Sequence, residues 1–106
     1  GLPFYRGCVV VVDDSFCSDN VIYIGKKFFM RYVVAVLVKF NKFNCSEVVL
    51  KARGSNVSKA VLIAESSKQL IKNLNYRSIV LGSSYLELGG LRKRLSTIKI
   101  VISRVD

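Results

Sequence analysis

The sequence predicts an α+β domain in two layers: a four-stranded mixed sheet with two helices on one of its faces. Its 106 residues suffice for one domain but rarely for two. Hydrophobic residues make up 51% of the chain, so we expect a packed core and no general disorder. The spacing of apolar residues alternates between strand and helix periods and gives the order β-α-β-α-β-β.

The first strand is predicted over residues 20–25, a short run of β-branched and aromatic residues that Gly25 closes. Residues 27–43 follow with apolar side chains at helical spacing and basic side chains on the opposite face, which predicts a helix. β-branched residues in its middle lower its intrinsic helix propensity. Packing against the sheet therefore has to support this helix.

A second strand and a second helix are predicted next. Residues 47–53 form the strand, which ends at Gly54. Either of the next two residues, Ser55 or Asn56, can cap a helix. The apolar stripe of that helix continues to about residues 73–75.

Two further strands complete the predicted sheet, over residues 77–88 and 96–105. Gly82 interrupts the first of them and indicates a β-bulge or a bend. The second strand alternates apolar and polar side chains. The glycine pair at residues 89–90 is typical of a hairpin turn, so we expect these strands to be antiparallel neighbours.

Charge divides the chain into two unequal parts. Residues 1–19 hold one basic and three acidic residues, a net charge of −2, and residues 20–106 hold sixteen basic and four acidic residues, a net charge of +12. This predicts an acidic N-terminal extension (1–19) followed by a basic domain (20–106). The apolar run at residues 8–12 is compatible with an added strand, with a strap on the body, or with a segment without fixed structure.

The composition excludes several kinds of chemistry. The chain has no His, which removes the Ser-His-Asp and Cys-His nucleophiles and the HExxH metal site. Its three cysteines, Cys8, Cys17 and Cys45, form no CxxC motif, so we expect no zinc site. Their odd number also argues against a disulfide framework and fits a reducing cytoplasm. The sequence contains no run of 18 apolar residues, so it predicts no membrane-spanning helix.

A net charge of +10 on so small a chain creates a strong positive field. The natural partners of such a surface are polyanions, with nucleic acid first and an anionic membrane second. Three clusters of basic residues show where a polyanion could be held.

The first cluster lies between the first strand and the first helix, where Lys26 and Lys27 follow Gly25. A glycine permits close approach to the backbone, and free N–H groups beside two ammonium ions suit a phosphate. The alternative for this turn is a pair of solvated surface lysines.

The second strand-to-helix turn repeats this combination. Arg53 and Gly54 precede the possible caps Ser55 and Asn56, and Lys59 follows one turn into the helix. If the two strands are parallel, both turns emerge at the same end of the sheet, which favours a shared phosphate-binding surface. Ordinary helix capping with surface charge is the alternative.

The third cluster is Arg92, Lys93 and Arg94, which follow the glycine pair of the hairpin. Three consecutive cations on a projecting loop repel one another, and a polyanion would relieve that repulsion. Arginine in a narrow minor groove is a recurring DNA contact. The alternative is a loop that only confers solubility.

Most aromatic residues are assigned to the core, because they fall on strand or helix positions. They also lack the pattern with which RNA-recognition sheets stack bases. Phe28, beside Lys27, is the candidate for an exposed stacking ring. The aromatic residues assigned to the core are Tyr23, Phe29, Tyr32, Phe40 and Phe43.

Three segments together resemble the Alba family of small archaeal chromatin proteins. They are the IGKK turn at residues 24–27, the KARGSNVSKAV segment at residues 51–61 and the STIKI strand at residues 96–100. They occur in the order and at the spacing typical of that family. The resemblance covers residues 20–105.

The resemblance implies a fold like the C-terminal domain of bacterial translation initiation factor three. It also implies a homodimer that binds double-stranded DNA, and RNA too, with little sequence preference. Lys26 and Lys27 match the family's principal DNA-contacting lysines, and Arg53 matches a basic residue on the same surface. The hairpin at residues 89–94 matches arms that reach along the minor groove. Lys26 is the acetylation candidate, with an acetyltransferase or a deacetylase as a partner.

The chain departs from the family pattern at three positions. Phe28 stands where members usually have Pro, a residue favoured in a first helical turn. Ser55 stands where many have a basic residue, and Ile71 where some have an aromatic residue for contact between dimers. Residues 1–19 have no counterpart in the pattern.

We therefore expect a non-enzymatic, homodimeric protein that coats or compacts duplex DNA in the cytoplasm, on the chromosome, without metal or cofactor. An RNA-associated role, as a ribonucleoprotein or RNase P-type accessory subunit or an RNA chaperone, is the alternative. A ribosome-binding role rests on analogy of fold alone. Membrane association rests on charge alone, since neither helix separates a broad cationic face from an apolar one.

Overall fold

Residues 17–105 are described by a computed structural model, in which two helices pack on one face of a four-stranded mixed sheet. This confirms the predicted architecture and element order. The apolar run at residues 8–12 and Cys8 lie outside the described residues. The elements are β1 (Val21–Tyr23), α1 (Phe29–Asn41), β2 (Glu47–Arg53), α2 (Asn56–Leu70), β3 (Leu74–Leu88) and β4 (Leu91–Arg104).

The largest differences from the predicted boundaries occur where the chain reverses direction. Helix α2 ends at Leu70 rather than near residues 73–75, because the backbone of Ile71 is already extended. Asn73 then adopts a left-handed conformation (φ +67°) and turns the chain into β3. Strand β4 begins at Leu91 rather than at residue 96. Gly89 and Gly90 both have positive φ, the requirement of a two-residue hairpin turn whose twist matches the flanking strands, so pairing continues to the turn.

Gly82 does not form the predicted bulge. It pairs in register with Thr97, and the irregularity of the β3–β4 ladder lies between Tyr76 and Ser78 instead. A Cβ atom at Gly82 would lie 3.0 Å from Thr97 Oγ1, so glycine serves here to admit a cross-strand neighbour.

The strand order is β1-β2-β4-β3, with β1 parallel to β2 and the other neighbours antiparallel. Because β1 and β2 are parallel, the turns that follow them lie at the same edge of the sheet. The last residue of β2, Arg53, pairs with Thr97, while β3 and β4 remain paired beyond it as far as Leu88 and Leu91. This two-stranded extension, the arm (residues 83–96), therefore leaves the sheet at that same edge.

The core lies between the sheet and the helices. Phe40 of α1, Ile63 of α2 and Leu50 of β2 are fully buried at its centre. The one polar residue buried among residues 17–105 is Ser67, whose hydroxyl donates a hydrogen bond to the carbonyl of Ile63 at 2.8 Å. That bond satisfies the hydroxyl without a partner from another element.

A disulfide bond joins Cys17 to Cys45, which contradicts the expectation of unpaired cysteines. The reason is the register of the parallel strands. Val21 of β1 pairs with Val49 of β2, and the same offset of 28 residues brings Cys17 beside Cys45, with Cα atoms 5.0 Å apart. Sequence spacing alone does not reveal a pairing that the strands impose. Cys45 is buried, so the bond attaches the start of the described chain to the core.

We predict that Cys17→Ser lowers the free energy of unfolding. Opening a loop of this length restores conformational entropy to the unfolded chain, an effect of about 3–4 kcal/mol in the chain-entropy view. Urea unfolding with and without reductant measures it. The wild type under reductant should match Cys17→Ser, and Cys8→Ser should keep the oxidised stability. An unfolding free energy of the wild type that reductant leaves unchanged would contradict the prediction.

Candidate nucleic-acid interface

The two strand-to-helix turns lie side by side at one sheet edge. Tyr23 of β1 pairs with Lys51 of β2, and the amide of Ile24 donates a hydrogen bond to the Lys51 carbonyl at 2.8 Å. The first turn then carries the exposed Lys26 and Lys27 into the solvent. The condition set by the sequence, that the strands be parallel, is met, and the first two basic clusters come together.

The turn before α1 is held by a clamp of two side chains, Tyr32 of α1 and Lys59 of α2. The Tyr32 hydroxyl accepts hydrogen bonds from the amides of Gly25 at 2.9 Å and Lys27 at 3.3 Å. The Lys59 ammonium donates to the carbonyls of the same two residues, at 2.6 Å and 2.9 Å. One short segment of backbone is thus fixed by both helices, while the Lys26 and Lys27 side chains stay exposed.

The clamp changes the roles that the sequence assigned to this turn. The amides of Gly25 and Lys27 are engaged by Tyr32, so they are not free to receive a phosphate. The ammonium of Lys59 is likewise engaged by carbonyl oxygens, which makes Lys59 a positioning residue. The side chains of Lys26 and Lys27 stay exposed beside the clamped backbone.

The position of Tyr32 in the sequence pattern predicts a core residue and does not predict its part in the clamp. Side chains on a helix lean toward its N-terminus. A tyrosine in the first turn of α1 can therefore reach back to the preceding loop, and this position was the available signal. The rest of the ring is partly buried against the core.

The second turn is closed mainly by its backbone. Gly54 has a φ of +60°, its amide donates to the Ser96 carbonyl at 2.7 Å, and its carbonyl accepts from the Val57 amide at 3.1 Å. Ser55 occupies the cap position of α2 but makes no side-chain capping bond. The exposed Ser55 and the half-buried Asn56 therefore present polar groups at the positive end of the α2 dipole. Arg53 is exposed immediately before them.

A groove of about 640 Å³ runs between the two turns. Phe28 lies on its wall with 66% of its surface exposed, and its ring centroid is 4.9 Å from that of Phe29. Phe28, which the sequence suggested as an exposed aromatic ring, is therefore exposed in the structure. Lys26, Lys27 and Ser55 also line the groove, which places cations around an aromatic surface.

The third basic cluster lies on the arm, within β4 rather than on a loop. Arg92 stacks over the ring of Tyr85, with its guanidinium carbon 3.9 Å from the ring centroid. Arg94 donates from Nε to the Ser83 hydroxyl at 3.0 Å, on the same face of the arm. Lys93 pairs with Leu86, so it projects from the opposite face. The arm therefore carries cations on both faces.

Acidic residues lie mostly away from this edge. Asp19 and Glu47 lie at the opposite edge. There the Asp19 side chain accepts a hydrogen bond from the amide of Val21, and Glu47 forms a salt bridge with Arg77. Glu65 of α2 accepts a hydrogen bond from the hydroxyl of Tyr76. The chain thus has a strongly basic end, and such a field steers a polyanion toward it.

The environment of Tyr76 alters its acidity. Burial, together with the hydrogen bond to Glu65, raises the pKa of Tyr76 above the usual range. It therefore remains a neutral donor.

Two further observations bear on the class of site. Residues 17–105 contain no cluster of three His, Cys, Asp or Glu side chains able to hold a metal ion. Among the helices of those residues, none has the length and apolar character to cross a membrane.

Comparison with known proteins finds a matching family model and similar relatives that cover most of the chain. The family model described as Alba matches residues 20–82. The DNA/RNA-binding protein Alba of Picrophilus torridus is 40% identical over 88 residues, which cover 82% of this chain and 98% of that protein. The protein of the same description from Methanococcus maripaludis is 37% identical over 86 residues, covering 79% of this chain and 97% of the relative.

A solved structure shows the same fold. Alba from Thermoplasma volcanium superimposes with a TM-score of 0.75 at 38% sequence identity. The match covers 80% of this chain and all of that one.

We predict that Tyr32→Phe loosens the turn before α1. The substitution removes the hydroxyl oxygen that accepts hydrogen bonds from two backbone amides, and leaving such donors without a partner costs about 1–2 kcal/mol. Amide hydrogen exchange should accelerate at Gly25 and Lys27. The amide of Ile24, bonded to Lys51 instead, is the internal control and should keep its rate. Unchanged exchange at both residues would show that the clamp does not hold the turn.

Proposed function

We propose that this chain, which belongs to the Alba family, is a nucleic-acid-binding protein of chromatin that coats or compacts double-stranded DNA with little regard to sequence. The observation that carries the proposal is the gathering of three basic clusters at one sheet edge: two turns and the arm. The two relatives described above are named for binding DNA and RNA, and this chain spans almost all of their length. Those names describe binding proteins rather than enzymes.

The mechanism is electrostatic contact with the phosphate backbone. Lys26, Lys27 and Arg53 would meet phosphates at the turns, while Ser55 and Asn56 would add polar contacts at the α2 N-terminus. Such contacts fix the position of the protein on a duplex without reading its sequence.

The arm would extend the contact along the duplex. Arg92 and Arg94 share one face of the ribbon and Lys93 occupies the other, so the arm can lie in a groove with cations toward both walls. The stacking of Arg92 on Tyr85 holds one guanidinium in place before DNA arrives.

The dimer of this proposal is supported by an apolar surface at the edge strand β3. Ile79 and Leu81 point to the helix-covered side of the sheet, yet 53% and 72% of their surfaces are exposed. Val61 and Leu62 of α2 are also exposed large hydrophobic residues. Exposed large apolar side chains and an unpaired strand edge favour association with a second copy.

Acetylation of Lys26 is part of the same proposal. Its side chain is exposed and makes no hydrogen bond within residues 17–105. Acetylation would remove one positive charge from the phosphate-binding edge, so an acetyltransferase and a deacetylase could tune affinity. We place the protein on the chromosome, with residues 20–106 as the binding domain and residues 1–19 as its acidic extension.

The second candidate function is binding of RNA, as an accessory subunit of a ribonucleoprotein. It is supported by the names of the relatives, which include RNA. Competition between duplex DNA and structured RNA in one titration discriminates between the two functions. The polymer that displaces the other at lower concentration is the preferred partner.

We predict that the affinity for duplex DNA falls steeply with salt and depends on Lys26 and Lys27. Neutralising about 6–10 phosphates per dimer gives a slope of log K against log[salt] on the order of −5 to −9. In the double variant Lys26→Ala, Lys27→Ala, binding should weaken on every duplex sequence, and the slope should become shallower by about 2 per protomer. Fluorescence anisotropy at four salt concentrations measures both quantities.

The matched control for this titration is Lys42→Ala, Lys72→Ala. It removes the same charge from exposed positions at the far ends of α1 and α2. It should lower the affinity only slightly. Equal losses in the two double variants would refute the assignment of the edge, and an affinity independent of salt would refute the mechanism.

A further inference from the structure

The face of the sheet that the helices leave uncovered carries a row of side chains across all four strands. Tyr23 pairs with Lys51, Lys51 with Lys99, and Lys99 with Val80. Cross-strand partners project from the same face. The neighbouring row through Leu50 and its partners is buried against the helices, so the row that begins at Tyr23 points away from them.

From this row we infer that the uncovered face binds an unpaired nucleic-acid strand, with a base stacked on Tyr23 and phosphates held by Lys51 and Lys99. The site shares Arg53 with the edge proposed for duplex DNA but is otherwise separate from it, and it goes beyond that function. Base stacking on aromatic side chains beside cations is the general way in which sheets hold single strands.

Tyr23 is the anchor of the site. The sequence assigned it to the core, and that assignment is wrong, because 72% of its surface is exposed. A strand of only three residues gives too short an alternation to decide which face a side chain takes. The Lys51 ammonium lies 5.9 Å from the ring centroid, so the ring already has a cation beside it.

The charge of the face suits a phosphate backbone. Lys51 and Lys99 are adjacent partners, and Arg53 lies two residues along β2 from Lys51 on the same side. The acidic residue of this face is Glu47, about 13 Å away along the same strand. Glu47 is paired with Arg77, so it leaves the cations near Tyr23 uncompensated.

The shape of the face suits bases that are free of a duplex. A concavity of about 610 Å³ lies over it, walled by Tyr23, Arg53 and Val80. Gly82 adds no side chain to this space, and the hydroxyl of its partner Thr97 is a hydrogen-bonding group at the wall. The row from Tyr23 to Val80 spans about 14 Å, room for two or three nucleotides. In a duplex the flat faces of the bases are already stacked on each other and could not lie on the tyrosine.

The test compares single strands with a duplex on the same variants. Anisotropy titrations with labelled dT12, U12 and a 20-base-pair duplex are made on the wild type, Tyr23→Ala, Tyr23→Phe and Lys99→Ala. We expect Tyr23→Ala to weaken single-strand binding about 10-fold and duplex binding less than twofold. Tyr23→Phe keeps the stacking surface and should bind like the wild type. Lys99→Ala should weaken single-strand binding more than Lys42→Ala does.

The outcomes separate this proposal from the duplex proposal. Loss confined to dT12, to U12 or to both supports the site and names the polymer it takes. Equal loss on single strand and duplex, or no loss on any probe, overturns it. The double variant Lys26→Ala, Lys27→Ala should retain single-strand binding. The single-strand result can therefore be interpreted even if the proposed duplex site proves wrong. Thermal unfolding of Tyr23→Ala checks that the exposed substitution leaves the fold intact.

Discussion

Four hydrogen bonds on one turn hold the backbone that carries Lys26 and Lys27, the first of the three basic clusters of the proposed binding edge. The Tyr32 hydroxyl accepts hydrogen bonds from two amides of the Gly25–Lys27 backbone, and the Lys59 ammonium donates hydrogen bonds to two of its carbonyls. Helices α1 and α2 therefore hold the turn between them. Without that clamp, two adjacent lysines would sit on a loop with many conformations. Holding them would then cost entropy whenever a phosphate is bound. The clamp makes this ordering part of folding instead of part of binding.

The parallel register of β1 and β2 is the second constraint, and three features depend on it. It sets the two turns side by side, and it brings Cys17 to Cys45. It also aligns Tyr23 with Lys51 on the uncovered face. The antiparallel pairing of β4 with β2 then carries the arm past the same edge. A chain with a net charge of +10 thereby acquires a basic end, with Asp19 and Glu47 at the other.

Local pattern was enough to predict the element order, the limits of β2 and the hairpin turn. Buried and more exposed side chains alternate along the seven residues of β2, which stops before Gly54, a residue with positive φ. A pair of adjacent glycines between two strands, such as Gly89 and Gly90, is typical of a two-residue hairpin turn. The start of β4 was missed because its Arg-Lys-Arg run has weak strand propensity. Pairing with β3 overrides that preference. The disulfide and the hydrogen bonds of Lys59 to the turn join residues 28 to 34 positions apart in the chain, so no local pattern indicates them.

The central claim is that duplex DNA contacts the sheet edge formed by the two turns and the arm. An NMR titration of the ¹⁵N-labelled protein with a short duplex of mixed sequence tests it most directly. The largest amide shifts should fall in residues 25–28, 53–56 and 92–94. Amides at the opposite edge, in residues 44–46 and 71–73, should stay nearly unchanged. Largest shifts at that opposite edge would contradict the account.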